Sequence, residues 1–107
     1  MNTQASDALP LPLEMPQPDG RTFLNGSVWF VDCDGYRVVF RWHEPLYRVA
    51  LTDKVHLRLV SVSLRQSGLA TQEEICHAFG HSVATQTRWE QRYRKHGIDG
   101  LVSKNPS

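Results

Sequence analysis

The sequence lacks the defining features of several large protein classes. Its 107 residues include only two cysteines, Cys33 and Cys76, so it has no disulfide framework of the kind found in small secreted domains. No apolar run approaches the roughly 20 residues that a membrane-spanning helix needs. The N-terminus has no basic segment followed by an apolar core, which a secretory signal would require. We therefore expect a cytoplasmic protein without a membrane partner.

The sequence also lacks a recognisable catalytic or metal site. No nucleophile, base and orienting group can be assigned together. Cys76 and His77 are neighbours that would point about 100° apart on a helix, and His81 lies beyond a turn, so one tetrahedral metal site is not expected. Cys33 is predicted to be a small packed residue beside a turn rather than a reactive thiol. We predict no enzymatic activity, no metal and no cofactor.

Net charge does not identify a partner, but its distribution along the chain is informative. The formal net charge is only +1. Residues 1–52 carry four Arg against six acidic residues, whereas residues 53–107 carry eight Lys and Arg against five acidic residues. A basic C-terminal half on a near-neutral chain is compatible with a small DNA-binding domain. It is equally compatible with a solvated helix whose cations favour its C-terminal end.

The stretch from Thr71 to Gly97 predicts two short helices joined by a tight turn. Thr71 is placed to cap the first helix, with Glu74 three residues later to complete a capping box. Gly80 supplies the backbone conformation in which a helix ends, and Ser82 is placed to cap the second helix. A helix, a glycine turn and a basic helix form the layout of a helix-turn-helix, whose second helix enters the major groove of DNA.

An earlier stretch carries the pattern of a β-hairpin. Asp34-Gly35 favours a two-residue type I′ turn, which places Asp32 opposite Arg37 as a cross-strand ion pair. Strand alternation then gathers apolar and aromatic side chains on one face: Trp29, Val31, Cys33, Tyr36, Val38, Phe40 and Trp42. We expect this face to be covered, either by the helices or by a partner, because an isolated hairpin is only marginally stable.

Four segments are predicted along the chain. Residues 1–21 form a Pro-rich flexible tail, or an extended segment whose leucines dock on the domain or on a partner. Residues 22–51 form a β-hairpin or meander, with Glu44-Pro45 as a break before a third strand at 46–51. Residues 52–102 form the helix-turn-helix, and residues 103–107 form a linker or tail.

The sequence pattern alone does not decide whether the first element after the hairpin is a helix or a strand. Residues 52–66 match both strand alternation and helical spacing. Helix is chosen because Thr52 suits an N-cap, Ser67-Gly68 suits a stop, and two short helices cannot bury a core alone. Ile98 and Leu101 are predicted to fold back on the last helix. The predicted fold class is α+β, a small N-terminal β-hairpin or meander followed by a three-helix bundle.

The helical region resembles the N-terminal, homeodomain-like helix-turn-helix of bacterial insertion-sequence transposases. The resemblance rests on a series of residues along the helices: Gly68-Leu69-Ala70-Thr71-Gln72-Glu73-Glu74-Ile75, Ala78-Phe79-Gly80, Ser82, Thr85, Arg88-Trp89, Arg92-Tyr93-Arg94, Gly97 and Gly100-Leu101. The preceding block from Asn25 to Phe40 looks like the small β-unit found before this domain in some such proteins. The resemblance implies binding to double-stranded DNA, while the three-carboxylate catalytic core of the family is absent.

The chain departs from the family pattern at the turn and in the second helix. His81 and Gln86 stand where the family usually has aliphatic residues that pack the two helices. Polar groups at such positions weaken packing or need hydrogen-bond partners. Val83 and Ala84 follow Ser82, where the family often has basic residues.

The second helix of the pair offers a set of candidate DNA contacts. Helical spacing points Gln86, Trp89 and Tyr93 into the bundle. The candidate base contacts are on the other side, near the N-terminal half: Ala84, Thr87, Arg88 and Gln91. The candidate phosphate contacts are cap hydroxyls and basic side chains: Thr71, Ser82, Arg92, Arg94 and Lys95.

Three functions remain open from the sequence. The first is sequence-specific DNA binding as a transposase-like module of a mobile element, associated with the bacterial nucleoid and acting as a homodimer or with a fused or partner catalytic domain. The second is a stand-alone transcriptional regulator with the same fold. The third is a protein-interaction module that uses the aromatic hairpin face.

Overall fold

The computed structural model describes residues 20–102. The predicted linker 103–107 and nearly all of the predicted tail 1–21 lie outside the described residues. Four strands come first along the chain, β1 Thr22–Phe23, β2 Val28–Cys33, β3 Tyr36–Arg41 and β4 Glu44–Ala50. Three helices follow, α1 Lys54–Gln66, α2 Gln72–Phe79 and α3 Val83–His96, and a 3-10 helix spans Gly97–Leu101. The fold is α+β, as predicted, with a four-stranded antiparallel sheet in the order β1-β2-β3-β4.

The central hairpin β2–β3 has the predicted register. Asp34 and Gly35 both have positive φ, 56° and 83°, as a type I′ turn requires. Asp32 pairs with Arg37 across the strands, and the carboxylate accepts hydrogen bonds of 2.8 and 2.9 Å from the guanidinium. The short turn dipeptide therefore fixes the register of the sheet.

The sheet continues further than predicted at β4. Glu44 and Pro45 do not break it but belong to β4, opposite Arg41 and Phe40. Pro45 is tolerated there because β4 is an edge strand, where a missing N–H costs no ladder bond. The reversal occurs one step earlier at Trp42, whose φ is +55°, so Trp42 is a turn residue and not part of the predicted strand.

The helices cover the face of the sheet opposite to the wholly apolar one. We call this covered side the inner face, and its central residues Val28, Phe30 and Val39 are 0–5% exposed. They pack on α1 and α2 residues that include Leu64 and Ile75. Of the two coverings predicted for the wholly apolar face, the helical core is wrong, and a partner stays a prediction. The inner face can pack against the helices because its charged residues lie at the strand ends, while β-branched and aromatic residues fill its centre.

The predicted apolar face becomes the outer face of the sheet. Within residues 20–102, none of its side chains is buried, and Cys33, predicted to be packed, is exposed. Trp29 and Phe40 stack with ring centroids 4.2 Å apart, and the Trp29 indole N–H donates to the Trp42 carbonyl at 2.7 Å. The aromatic side chains of this face therefore shield one another in part.

Helix α1 is confirmed, although its cap is Asp53 and not Thr52. The Asp53 carboxylate accepts a hydrogen bond from the His56 N–H at 3.1 Å. Its side-chain hydrogen bond with the His56 ring, more than any other interaction, lowers the pKa of Asp53. The helix ends at the predicted Ser67-Gly68, where Gly68 has φ +77°. None of the helices of residues 20–102 is long and apolar enough to cross a membrane.

Asn25, in the bend between β1 and β2, ties the sheet to the helix pair. Its amide nitrogen donates to the Leu69 carbonyl at 2.9 Å and to the Glu74 carboxylate at 3.0 Å. Its amide oxygen accepts from the N–H groups of Ser27 and Val28. One side chain thus satisfies groups in both layers, which fixes the sheet on the start of α2.

The 3-10 helix closes the bundle against α3. Leu101 is 1% exposed, as its predicted packing requires, but Ile98 is 49% exposed and does not fold back. A Cβ atom at Gly100 would lie 2.3 Å from the Arg92 carbonyl oxygen. Glycine is therefore needed at Gly100 because the two backbones approach closely.

Candidate nucleic-acid interface

The turn between α2 and α3 has the caps that the sequence predicts. The Thr71 hydroxyl accepts from the Glu74 N–H at 3.1 Å, and the Glu74 carboxylate accepts from the Thr71 N–H at 3.0 Å, which completes a capping box. Gly80 ends α2 in the left-handed conformation with φ +84°. The Ser82 hydroxyl caps α3 by accepting from the Thr85 N–H at 3.1 Å. These local interactions fix where α3 begins.

Glu74 takes part in two of the contacts that hold this region together. Its hydrogen bond from Asn25, followed by that from the Thr71 N–H, lowers the pKa of Glu74 below its ordinary value of 4.5. The carboxylate is therefore favoured in the folded protein. The same group joins the sheet, the helix cap and the start of α2.

The exposed side of α3 carries most of the candidate DNA contacts. Ala84, Arg88 and Gln91 are exposed and share one side of the helix with Lys95, since they recur at spacings of three and four residues. Arg88 also reaches the Thr85 hydroxyl at 3.4 Å. We call Ala84, Arg88, Gln91 and Lys95 the exposed stripe.

Thr87 differs from the other candidate base contacts. It is half-buried, and its hydroxyl accepts a hydrogen bond of 2.9 Å from the Gln72 amide. This bond holds the N-terminus of α2 against the flank of α3, so Thr71 and Thr87 are brought to the same side. Arg94 follows Thr87 by about two turns on that flank.

The remaining candidate phosphate contacts are also accessible. Arg92 lies one turn after Arg88 and is exposed, as is the Ser82 residue at the start of α3. Ser82 donates its hydroxyl hydrogen to Thr85 at 3.0 Å. Gln72 was not predicted to contact α3. Its position as the first residue of α2 was a usable signal for such a contact, because the ends of helices present polar groups.

The exposed charge of α3 is uniformly basic. Arg88, Arg92, Arg94 and Lys95 are all exposed. The one carboxylate of α3, that of Glu90, faces inward and its side chain is only 12% exposed. The distribution gives α3 a positive outer surface, while the negative charge is used inside the bundle.

The two polar residues that depart from the family pattern are hydrogen-bonded to each other. The His81 ring nitrogen Nε2 lies 2.7 Å from the oxygen of the fully buried Gln86 amide. The Gln86 nitrogen donates to the Glu90 carboxylate at 3.0 Å, and the Arg65 guanidinium lies 4.0 Å from that carboxylate. A connected polar chain thus replaces an aliphatic contact between the helices, and the cost of burying Gln86 is offset.

Trp89 and Tyr93 point to the packed side of α3 but are only half-buried. The Trp89 ring lies against His81, with centroids 4.6 Å apart, and below the Arg58 guanidinium at 5.3 Å. Trp89 therefore forms the edge of the bundle rather than its centre.

No group of three or more His, Cys, Asp or Glu side chains within residues 20–102 is arranged to hold a metal ion. Cys76 is buried, and burial, followed by the charges of Glu73 and Glu90, raises the pKa of its thiol. It packs as a small apolar residue in α2.

Part of the chain is similar to a known protein family. Residues 57–107 match a family described as a helix-turn-helix domain. Within the matched residues, α2, the Gly80 turn and α3 have the layout of a helix-turn-helix, a motif found in DNA-binding proteins. The match begins inside α1, so the four-stranded sheet lies outside it. Searches of curated proteins and of solved structures found no significant match.

Proposed function

We propose that this protein binds double-stranded DNA in a sequence-specific manner, with α3 in the major groove. The observation that carries the proposal is the charge distribution of α3. Its four exposed charges are basic, and its one carboxylate faces the interior. This surface lies on the second helix of a helix-turn-helix, the helix that reads base edges in such motifs.

Three residues of the exposed stripe, Ala84, Arg88 and Gln91, supply the direct readout in this proposal, together with Thr87. Arg88 is suited to two hydrogen bonds with guanine, and Gln91 to two with adenine. Ala84 offers a methyl group to thymine. Thr87 is already held by Gln72, which leaves its methyl group for a thymine or its hydroxyl for a second bond.

The phosphate contacts would lie around these base contacts. Arg92, Arg94 and Lys95 are exposed cations that position the protein without reading sequence. Thr71 and Ser82 mark the N-termini of α2 and α3, where backbone N–H groups attract phosphate oxygens. With these contacts, the protein would associate with the bacterial nucleoid.

The wider role that we propose is that of a transposase-like DNA-binding module without its catalytic core. It would act as a homodimer or beside a separate catalytic domain, because one short recognition helix gives limited specificity. A stand-alone transcriptional regulator would use the same surface. The neighbouring reading frame separates the two roles, since a continuation that encodes spaced Asp, Asp and Glu residues favours the transposase.

The outer face of the sheet favours a second candidate function, protein binding. Trp42 at its edge is 62% exposed and Tyr36 is 37% exposed. Exposed aromatic side chains are enriched at the centres of protein interfaces. In this alternative, the helix-turn-helix supports a docking surface on the sheet.

Fluorescence anisotropy with labelled duplex DNA at several salt concentrations tests DNA binding. We expect the logarithm of the affinity to fall linearly with the logarithm of salt, by roughly 0.9 for each neutralised phosphate. Selection from a randomised duplex library then tests sequence specificity. Weak binding at low salt that does not respond to salt would contradict the proposal and leave protein binding by the sheet.

A further inference from the structure

A cleft lies where the sheet, α1 and the α2–α3 turn meet, on the packed side of α3. Its volume is about 270 Å³, close to the lower end of the roughly 300–1,000 Å³ of ordinary ligand pockets. Leu51, Leu57, Phe79 and Trp89 form its apolar walls. The size and the two aromatic rings suit a ligand with a single flat ring.

The polar lining of the cleft is entirely basic or imidazole. Arg37, Lys54, Arg58 and His81 provide it, and none of the eight lining residues is acidic. Lys54 is exposed and forms no ion pair with any residue in the described part of the chain. Arg37 is paired with Asp32, so the unneutralised charge comes from Lys54 and Arg58.

Two of the basic groups, Arg37 and Arg58, are held in place by other residues of the chain before any ligand arrives. The Arg37 guanidinium lies 4.3 Å from the centre of the Phe30 ring. Arg58 lies over Trp89 and donates to the Leu101 carbonyl at 2.8 Å. Side chains fixed in this way lose little further freedom when they bind, which is the condition for a preorganised site.

We propose that the cleft binds a small anion with an aromatic body, either an aryl carboxylate or an aryl phosphate. The ring would lie against Trp89 and Phe79, and the anionic group would face Lys54 and Arg58. Since His81 bonds to Gln86 and lies against Trp89, the occupied cleft would contact the turn and the recognition helix α3. The proposal concerns ligand binding alone and is independent of DNA binding.

Nuclear magnetic resonance titration of the ¹⁵N-labelled full chain with sodium benzoate tests this site. Benzamide is the matched probe, since it keeps the shape and lacks the charge. We expect benzoate, but not benzamide, to shift the Trp89 indole signal and the amide signals of Leu57 and His81. Phenyl phosphate is the second probe. The anion that binds more tightly identifies the ligand class, aryl carboxylate or aryl phosphate.

Two lysine variants provide the controls. We expect Lys54→Gln to weaken benzoate binding about threefold to fivefold, the effect of one exposed charge, and Lys95→Gln on the exposed stripe to leave it unchanged. Equal binding of benzamide, equal effects of the two variants, or shifts confined to the Trp29 and Trp42 indoles would each overturn the proposal.

Discussion

The two sides of α3 use similar residues for different purposes. On the packed side, Gln86 is fully buried and makes two side-chain hydrogen bonds within the bundle. On the exposed side, Gln91 projects from the helix surface. The same contrast separates Glu90, which faces inward, from the exposed arginines. Position relative to the bundle, and not residue type, decides which side chains stabilise the fold and which are available to a partner.

The close backbone contact at Gly100 gives the largest expected effect on the packed side. We expect Gly100→Ala to lower the free energy of unfolding by about 3 kcal/mol, because its Cβ would overlap the Arg92 carbonyl. Chemical denaturation measures the change. Gly26→Ala is the matched control, since a Cβ at Gly26 meets nothing within 4 Å. Equal stability of both variants would mean that the 3-10 helix does not pack on α3.

A pair of glutamine variants compares the two sides of α3 directly. We expect Gln86→Ala to lower the free energy of unfolding by about 2 kcal/mol, since His81 and Glu90 lose their partner in the bundle. Gln91→Ala should change stability by less than about 0.5 kcal/mol and should instead weaken DNA binding. Thermal denaturation and anisotropy measure the two quantities. A stability loss of similar size in both variants would contradict the difference between the packed and the exposed side of α3.

A pair of arginine variants sharpens the description of the exposed side. We expect Arg88→Ala to reduce discrimination at one base position by about 1–3 kcal/mol. Arg92→Ala should weaken binding to all sequences alike and reduce the salt slope by about 1. Anisotropy with duplexes changed one base pair at a time distinguishes the two. An equal loss on every duplex for Arg88→Ala would count against a base contact.

The smallest expected effect is the pH dependence of Glu74. Because its pKa is lowered in the folded protein, its contribution to stability is complete above the unfolded value of 4.5 and is lost as the pH falls through the folded pKa. Wild type should therefore lose stability relative to Glu74→Gln in acid. The exposed neighbour variant Glu73→Gln is the control, and denaturation at several pH values measures the difference. A stability difference between wild type and Glu74→Gln that does not change with pH would contradict this role of the Glu74 carboxylate.

The sequence predicted the elements that are determined by residues close together in the chain. The turn at Asp34-Gly35, the capping box of Thr71 and Glu74, and the glycine end of α2 depend on residues a few positions apart, and all are present. The spacing of helix α1 also fitted a strand, and helix was chosen from its cap and stop signals and from the need for a third helix. These features could be predicted because short-range geometry and hydrogen bonding determine them.

The side of the sheet that is covered could not be predicted in the same way. Alternation identifies two faces but does not state which one meets the helices. The apolar face was predicted to meet either the helices or a partner, and the first of these predictions is wrong. The partner of Gln86 was missed because His81 lies in the turn before α3, outside the helix whose spacing was used to place Gln86. The lining residues of the cleft come from four separate elements, so the sequence pattern did not predict that they lie together.

Amide chemical-shift mapping of the ¹⁵N-labelled chain with duplex DNA at low salt tests whether α3 is the DNA-binding surface. We expect the largest changes between Ser82 and Lys95, on the exposed stripe, with smaller changes near Thr71. We also expect the indole signals of Trp29 and Trp42 on the sheet to stay in place. Changes concentrated on the outer face of the sheet, with α3 unaffected, would contradict it.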